Sequence, residues 1–263
     1  MKFFSNTEFT VAFFLYSFLL LSACSDHGFN YDEGTGRGPS CWGTLKPEWG
    51  TCSAGREQSP IDIGTVQVSS RLGDLQRNYT PAEAVLRNRT EDVAVVFLGH
   101  AGSITINGMV YKVVNCHWHS PSEHTLNGTR YPLEVHIVHR SDENKIAVVG
   151  ILYRYSLLLP DPFIASIFPA ISFLGREDIP LGFINPETIG FPDSGYYRYN
   201  GSLTTPPCSE NVTWTVFKEV KKVTWFEVGA LRRVLPPQNR DNSRPTQPLN
   251  DRSVLLHPRT SLT

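Results

Sequence analysis

Short apolar runs of strand length, cut apart by turn formers, constrain the fold of this chain more than any other feature. They fall at 93–98, 103–106, 110–118, 133–139, 146–153 and 212–220, with Gly, Asn, Asp and Pro between them. Asn107-Gly108 lies between two of these runs. It is a strong hairpin signal, because a two-residue type I′ turn needs positive φ at both central positions. Helical pattern is scarce, and the best stretches are 162–173 and 225–235. The expected fold is mainly β: a single domain with a large twisted, mostly antiparallel central sheet and short peripheral helices. A chain of 263 residues can bury a substantial core without metal or disulfides. The segment 28–55, rich in Gly, Pro and Trp, is expected to wrap over the sheet.

Within this strand pattern sit His117-Trp118-His119 and Glu134-Val135-His136. Successive side chains on a strand point to opposite faces, so His117 and His119 share a face while Trp118 turns into the layer behind. A turn and a return strand would bring His136 beside them. Three imidazoles on rigid strands leave the fourth position of a tetrahedral zinc ion open, which separates a catalytic zinc from a structural one. Glu134 shares the face of His136 and can accept a hydrogen bond from the ring nitrogen that does not bind metal. A His-x-His pair alone is weak, and an isolated strand histidine is usually a satisfied core or surface residue. The third histidine and the carboxylate at pairing distance carry the metal reading.

The run Cys116-His117-Trp118-His119-Ser120-Pro121-Ser122-Glu123-His124-Thr125, followed by Leu133-Glu134-Val135-His136-Ile137-Val138-His139, resembles the signature of the α-class carbonic anhydrases, the plant-type members above all. Further matches come in the family's order: Gln58-Ser59-Pro60-Ile61-Asp62, Gly99-His100, Gly201-Ser202-Leu203-Thr204-Thr205-Pro206-Pro207-Cys208 and Arg244-Pro245-Thr246-Gln247-Pro248-Leu249. The resemblance runs from about Tyr31 to about Leu256. It implies a twisted sheet of about ten strands, with zinc at the bottom of a conical cleft. The implied activity is reversible hydration of carbon dioxide to bicarbonate and a proton by a zinc-bound hydroxide. The water pKa of about 7 quoted for such a site is the family's own value. Ester hydrolysis would be only a weak side activity.

The same resemblance implies the roles around His117, His119 and His136. Thr204 would accept the hydroxide's hydrogen and donate its own to Glu123, which as an ionised carboxylate can only accept. The backbone N–H of Thr204 would hold developing oxygen charge. Val138, Val148, Leu203 and Trp214, with Thr204 and Thr205, would form the substrate pocket. His100 matches the proton-shuttle position, since imidazole titrates near neutrality. His124 would pair with Tyr199, and Tyr31 would line the cleft. Asn115 stands where the family usually carries Gln, so its shorter amide must reach His117. Sulfonamides and small anions are the expected inhibitors. The same fold also occurs in non-catalytic storage, binding or adhesion proteins that have usually lost zinc histidines; here all three are present.

Residues 9–21 are almost wholly apolar behind Lys2 and ahead of Ser22 and Ala23. This is short for a membrane span and suits a cleaved secretory signal over 1–24, before a domain at 28–258 and a short tail at 259–263. Leu21-Ser22-Ala23-Cys24 also resembles a bacterial lipoprotein site, ranked lower because the enzyme signature is plant-type. The destination would be extracellular, or onward to a wall, vacuole or plastid. The four cysteines after the signal permit three full pairings. The resemblance selects Cys52 with Cys208, while Cys116 would face away from the metal as a buried thiol and Cys41 departs from the family pattern. Of five glycosylation sequons, Asn78, Asn88 and Asn127 look like open turn or loop sites, and Asn200 and Asn211 look inaccessible. A net charge of −1 with no basic block gives no reason to propose nucleic-acid binding.

Overall fold

The structure is a computed structural model and describes residues 28–258. The expected signal at 1–24, Cys24 and the tail at 259–263 lie outside the described residues. In chain order the strands are β1 (Asp62–Ile63), β2 (Gln67–Val68), β3 (Gln76–Tyr79), β4 (Ala82–Asn88), β5 (Val93–Phe97), β6 (Gly102–Ile106), β7 (Met109–His119) and β8 (Thr125–Leu126). They continue as β9 (Thr129–Arg130), β10 (Leu133–Arg140), β11 (Ile146–Tyr155), β12 (Ile179–Ile184), β13 (Tyr196–Ser202), β14 (Glu210–Phe217), β15 (Lys221–Val223) and β16 (Leu255–His257). The α-helices are α1 (Trp42–Leu45), α2 (Thr51–Ala54), α3 (Pro162–Phe173) and α4 (Trp225–Arg233).

Thirteen strands form one sheet along the path β12-β4-β5-β7-β10-β11-β14-β13-β16-β2, with β3, β6 and β15 branching from it. Pairing is antiparallel except for β11 with β14, β11 with β15 and β16 with β2. The predicted hairpin is formed: Asn107 and Gly108 have φ of 51° and 78°, and Ile106 pairs with Met109. The centre of the sheet is covered on both sides, so β10 is buried along almost its whole length, its polar Glu134, His136 and His139 included. Leu133, Val135 and Ile137 point into the main core beside Cys116 and Trp118. The alternate residues of β7 and β10 face the opposite layer.

Both predicted helices form. Asp161 caps α3 by accepting from the N–H groups of Phe163 and Ile164, and Phe163, Ile164, Ile167 and Ile171 are buried. A capping box of Thr224 and Glu227 starts α4, which ends at Arg233, two residues earlier than expected. The run at 212–220 is strand only as far as Phe217; the chain then turns, and β15, which joins β11, begins beyond the run at Lys221. Strand β12 escaped the pattern because Pro180 and Gly182 interrupt it; it lies at the sheet edge with a bulge between them, where proline is tolerated. The segment 28–55 builds a cluster of its own, with Trp42, Cys52 and Cys208 buried among Phe29, Tyr31, Leu45 and Trp49. The Cys52–Cys208 disulfide ties it to the loop after β13. Cys41 and Cys116 are free. Three sequon expectations are corrected. Asn200 and Asn211 are exposed, whereas Asn88 is half-buried and its amide donates to Val234 O at 2.9 Å.

Candidate metal centre

Antiparallel register builds the site. β7 and β10 pair so that His117 lies opposite His136 and His119 opposite Glu134. The three imidazoles therefore meet on one face, with ring centroids 4.6 to 5.4 Å apart. One nitrogen from each lies within 4.8 Å of the others.

The partners of the other ring nitrogens decide which lone pairs remain. His119 Nδ1 is 2.7 Å from Asn242 O, a carbonyl that can only accept. That nitrogen must carry the proton, leaving the lone pair on Nε2, which is buried without a hydrogen-bond partner. His117 Nδ1 lies 3.0 Å from Asn115 Oδ1, so the shorter amide does reach. His136 Nε2 lies 2.8 Å from Glu134 Oε1, leaving Nδ1 free. Burial holds His117 well below the usual histidine range, with the neighbouring charges of Arg89, His119 and His136 adding to it. Burial likewise lowers His136, against the pull of Glu134. Three neutral imidazoles with convergent lone pairs fit zinc, which takes nitrogen ligands tetrahedrally.

Glu134 is the anchor. Its Oε1 also meets His124 Nδ1 at 2.7 Å, and its Oε2 accepts from the N–H groups of Glu123 and His124 at 2.8 Å each. Burial alone would raise its pKa, but His124 and His136 hold it well below the usual carboxylate range. As an ionised acceptor it fixes the direction of a chain of bonds: His124 donates to it, Tyr199 Oη–H donates to His124 Nε2 at 2.7 Å, and Ser59 donates to Tyr199 at 2.8 Å. His124, Glu134 and His136 also form a triplet within ligand distance. They satisfy one another by hydrogen bonds and leave no open position, so this triplet is not the metal site.

Glu123 is fully buried. Its Oε1 accepts from Arg244 N–H at 2.8 Å, and its Oε2, 3.8 Å from His136 Nδ1, has no hydrogen-bond partner. The donation from Thr204 is not made in the structure, and this acceptor stands free for it. Thr204 is buried and Thr205 half-buried. Val148 and Trp214 belong to one apolar cluster, against which Val138 and Leu203 pack. Register explains this, since Val138 lies opposite Val148 and Val148 opposite Trp214. The Trp214 ring stands 4.8 Å from His136. Tyr31 has a buried hydroxyl without a partner and packs on Trp42. His100 is exposed between β5 and β6, and its Nδ1 accepts from Gly102 N–H at 3.2 Å.

Asn242 was missed by sequence reasoning. Its carbonyl orients His119, and its side chain accepts from Ser120 N–H and donates to Trp118 O and Glu91 O. A backbone carbonyl carries no residue-type signal. The positioning role of Arg244 was also missed, although it opens a recognised motif. Its guanidinium is buried on Gln58, Ser59 O and Cys52 O, which aims its N–H at Glu123.

Residues 37–258 match the family model for eukaryotic-type carbonic anhydrase. Alpha carbonic anhydrase 4 of Arabidopsis thaliana is 44% identical, covering 87% of this chain and 85% of its own. A solved dioscorin complexed with ascorbate is 42% identical with TM-score 0.86, covering 89% of this chain and all of its own. The α-carbonic anhydrase of Thermovibrio ammonificans, solved with the inhibitor sulfanilamide, is 34% identical with TM-score 0.78, over 86% and 98% of the two chains. With the sheet, the histidine cluster and these likenesses in agreement, the chain belongs to the eukaryotic-type carbonic anhydrase family.

Proposed function

We propose that the chain hydrates carbon dioxide at a zinc ion held by His117 Nε2, His119 Nε2 and His136 Nδ1. The observation that carries this reading is the set of three convergent lone pairs, with His119 Nε2 buried and unpartnered. A zinc ion held there supplies a water acidic enough to act as a nucleophile near neutral pH.

The remaining roles fall to the chain's own residues. Val138, Val148, Leu203 and Trp214 offer an apolar wall that suits a small, uncharged substrate and excludes bulk water. Thr204 is the orienting group. Its hydroxyl would turn to donate to the free Glu123 Oε2, which aims the hydroxyl's lone pair at the nucleophile, and its N–H would meet the substrate oxygen as charge develops. Arg244 positions Glu123. His100, exposed between β5 and β6, carries the proton to solvent through water. Sulfonamides and small anions would bind at the same centre, and ester hydrolysis would be a side activity. The disulfide and the plant relatives support passage through an oxidising secretory compartment.

A non-catalytic binding protein on the same fold is the second reading, and the likeness to dioscorin with bound ascorbate favours it. The complete histidine set favours hydration. Stopped-flow carbon dioxide hydration before zinc removal, after it, and after zinc is restored tests the two. Activity that disappears with zinc, returns with it and yields to sulfanilamide supports hydration. A folded, zinc-loaded chain without activity would refute it.

A further inference from the structure

Half of the large apolar residues exposed among the described residues crowd onto one place, where β11 runs out into the loop before α3. Leu157 is 89% exposed, Leu158 86% and Leu159 52%; Tyr155 is 55%, and Trp225 and Phe226 at the start of α4 are 63% and 80%. Leu158 and Leu159 follow Leu157 directly in the chain, and Phe226 follows Trp225. The rings of Tyr155 and Trp225 lie 6.3 Å apart, Ser156 N–H donates to Val223 O, and Tyr155, Ser156, Leu157 and Trp225 line one cleft of about 310 Å³. Singly exposed apolar residues need no explanation, but six together do. None of them belongs to the metal centre.

We propose that this patch docks the protein on the interfacial region of an anionic lipid bilayer. Polarity is graded along the chain as it is through a membrane surface. Arg154 and Lys222 are register partners, both exposed, and neither has an ion-pair partner among the described residues. Outward from them come Tyr155 and Trp225, whose amphipathic rings suit the headgroup level, and then the leucine tip. From Arg154 to Leu157 is at most about 10 Å of extended chain, which matches the roughly 5–10 Å that interfacial apolar groups penetrate. The acids next to the patch in sequence are withdrawn from it. Asp161 is buried on Lys221 Nζ at 2.6 Å, and Glu227 is buried on Thr224 and the Asp161 N–H. The surface is therefore apolar and cationic, the combination that anionic lipid attracts. A second copy of the chain is the poorer occupant, since a twofold contact across this patch would bring two unpaired basic pairs into one interface.

The test is vesicle flotation of the full chain, secreted from a eukaryotic host, on phosphatidylcholine vesicles with and without phosphatidylglycerol. Three proteins are compared: wild type, Leu157→Ser with Leu158→Ser, and Arg154→Gln with Lys222→Gln. The N-terminus is common to all three, so only differences between them count. Wild type should bind the anionic vesicles, with blue-shifted tryptophan emission from Trp225. The leucine variant should lose at least about tenfold in binding. The charge variant should lose several-fold, on anionic vesicles only. Carbon dioxide hydration in solution should be equal in all three, which also reports that they fold. Equal vesicle binding by wild type and the leucine variant, or none by either, overturns the proposal. So does a wild-type dimer in sedimentation that the leucine variant dissolves while neither floats.

Discussion

Replacing Glu134 by Gln exchanges one carboxylate oxygen for an NH₂, yet the structure gives it a large expected effect. Four donors converge on this carboxylate: two ring N–H groups on Oε1 and two backbone N–H groups on Oε2. An amide offers one oxygen and one NH₂, so in either orientation two donors face another donor. Losing two hydrogen bonds to a charged group at about 1.5–3 kcal/mol each predicts destabilisation of the zinc-free fold by about 3–6 kcal/mol. One rearrangement relieves part of this. If the NH₂ faces the rings, His136 can accept on Nε2 by shifting its proton to Nδ1. That proton then occupies the lone pair assigned to zinc. Zinc affinity should fall by about 10–100-fold, the range measured for such partners, carbonic anhydrase among them. Urea unfolding of the zinc-free proteins and zinc competition against a chelator measure the two effects separately. A Glu134→Gln protein with wild-type urea midpoint and wild-type zinc affinity would refute the assignment of Glu134 as an ionised, fourfold acceptor.

Thr204→Ala should keep zinc and slow hydration about a hundredfold, as for other oriented transition-state donors, and unchanged stopped-flow kinetics would remove Thr204 from the mechanism. His100→Ala should slow turnover mainly in weak buffer and recover with added imidazole; equal loss at every buffer concentration would argue against proton shuttling. Burial pushes His139 down to about 3. An unfolded histidine titrates near 6.5, so the unfolded chain gains a proton that the folded one refuses, and this contribution to stability is full above about pH 6.5 and lost as pH falls toward 3. His139→Gln should therefore lose about 2 kcal/mol less than wild type between pH 7 and 5, read from urea midpoints. In a glycosylating host Asn127, exposed in the turn between β8 and β9, should carry glycan while Asn88 stays bare, because its amide is held by Val234 O. Glycopeptide mass spectrometry decides this, and an occupied Asn88 would mean that the bond forms too late to protect it.

Much of the fold was legible because its signals are local. Alternation, turn formers and the Asn107-Gly108 pair act over a few residues and located six strand regions and both larger helices. The longer strands that escaped, β4, β12 and β13, carry polar residues, proline or glycine. Only their place beside other strands makes them strands. The sequon expectations for Asn88, Asn200 and Asn211 failed for the same reason. Exposure of a side chain depends on what packs over it, which triplets do not record.

For the site, the sequence by itself determined the ligand types and their parity. Two-residue spacing on a strand puts His117 with His119 and Glu134 with His136 whatever the surroundings. Tertiary structure decided the rest. The register of β7 against β10 brings the two pairs together, and the Asn242 carbonyl and the Glu134 carboxylate choose which nitrogen of each ring is left with a lone pair. A tautomer is set by a partner across space, and no residue in a sequence names the atom that will face it.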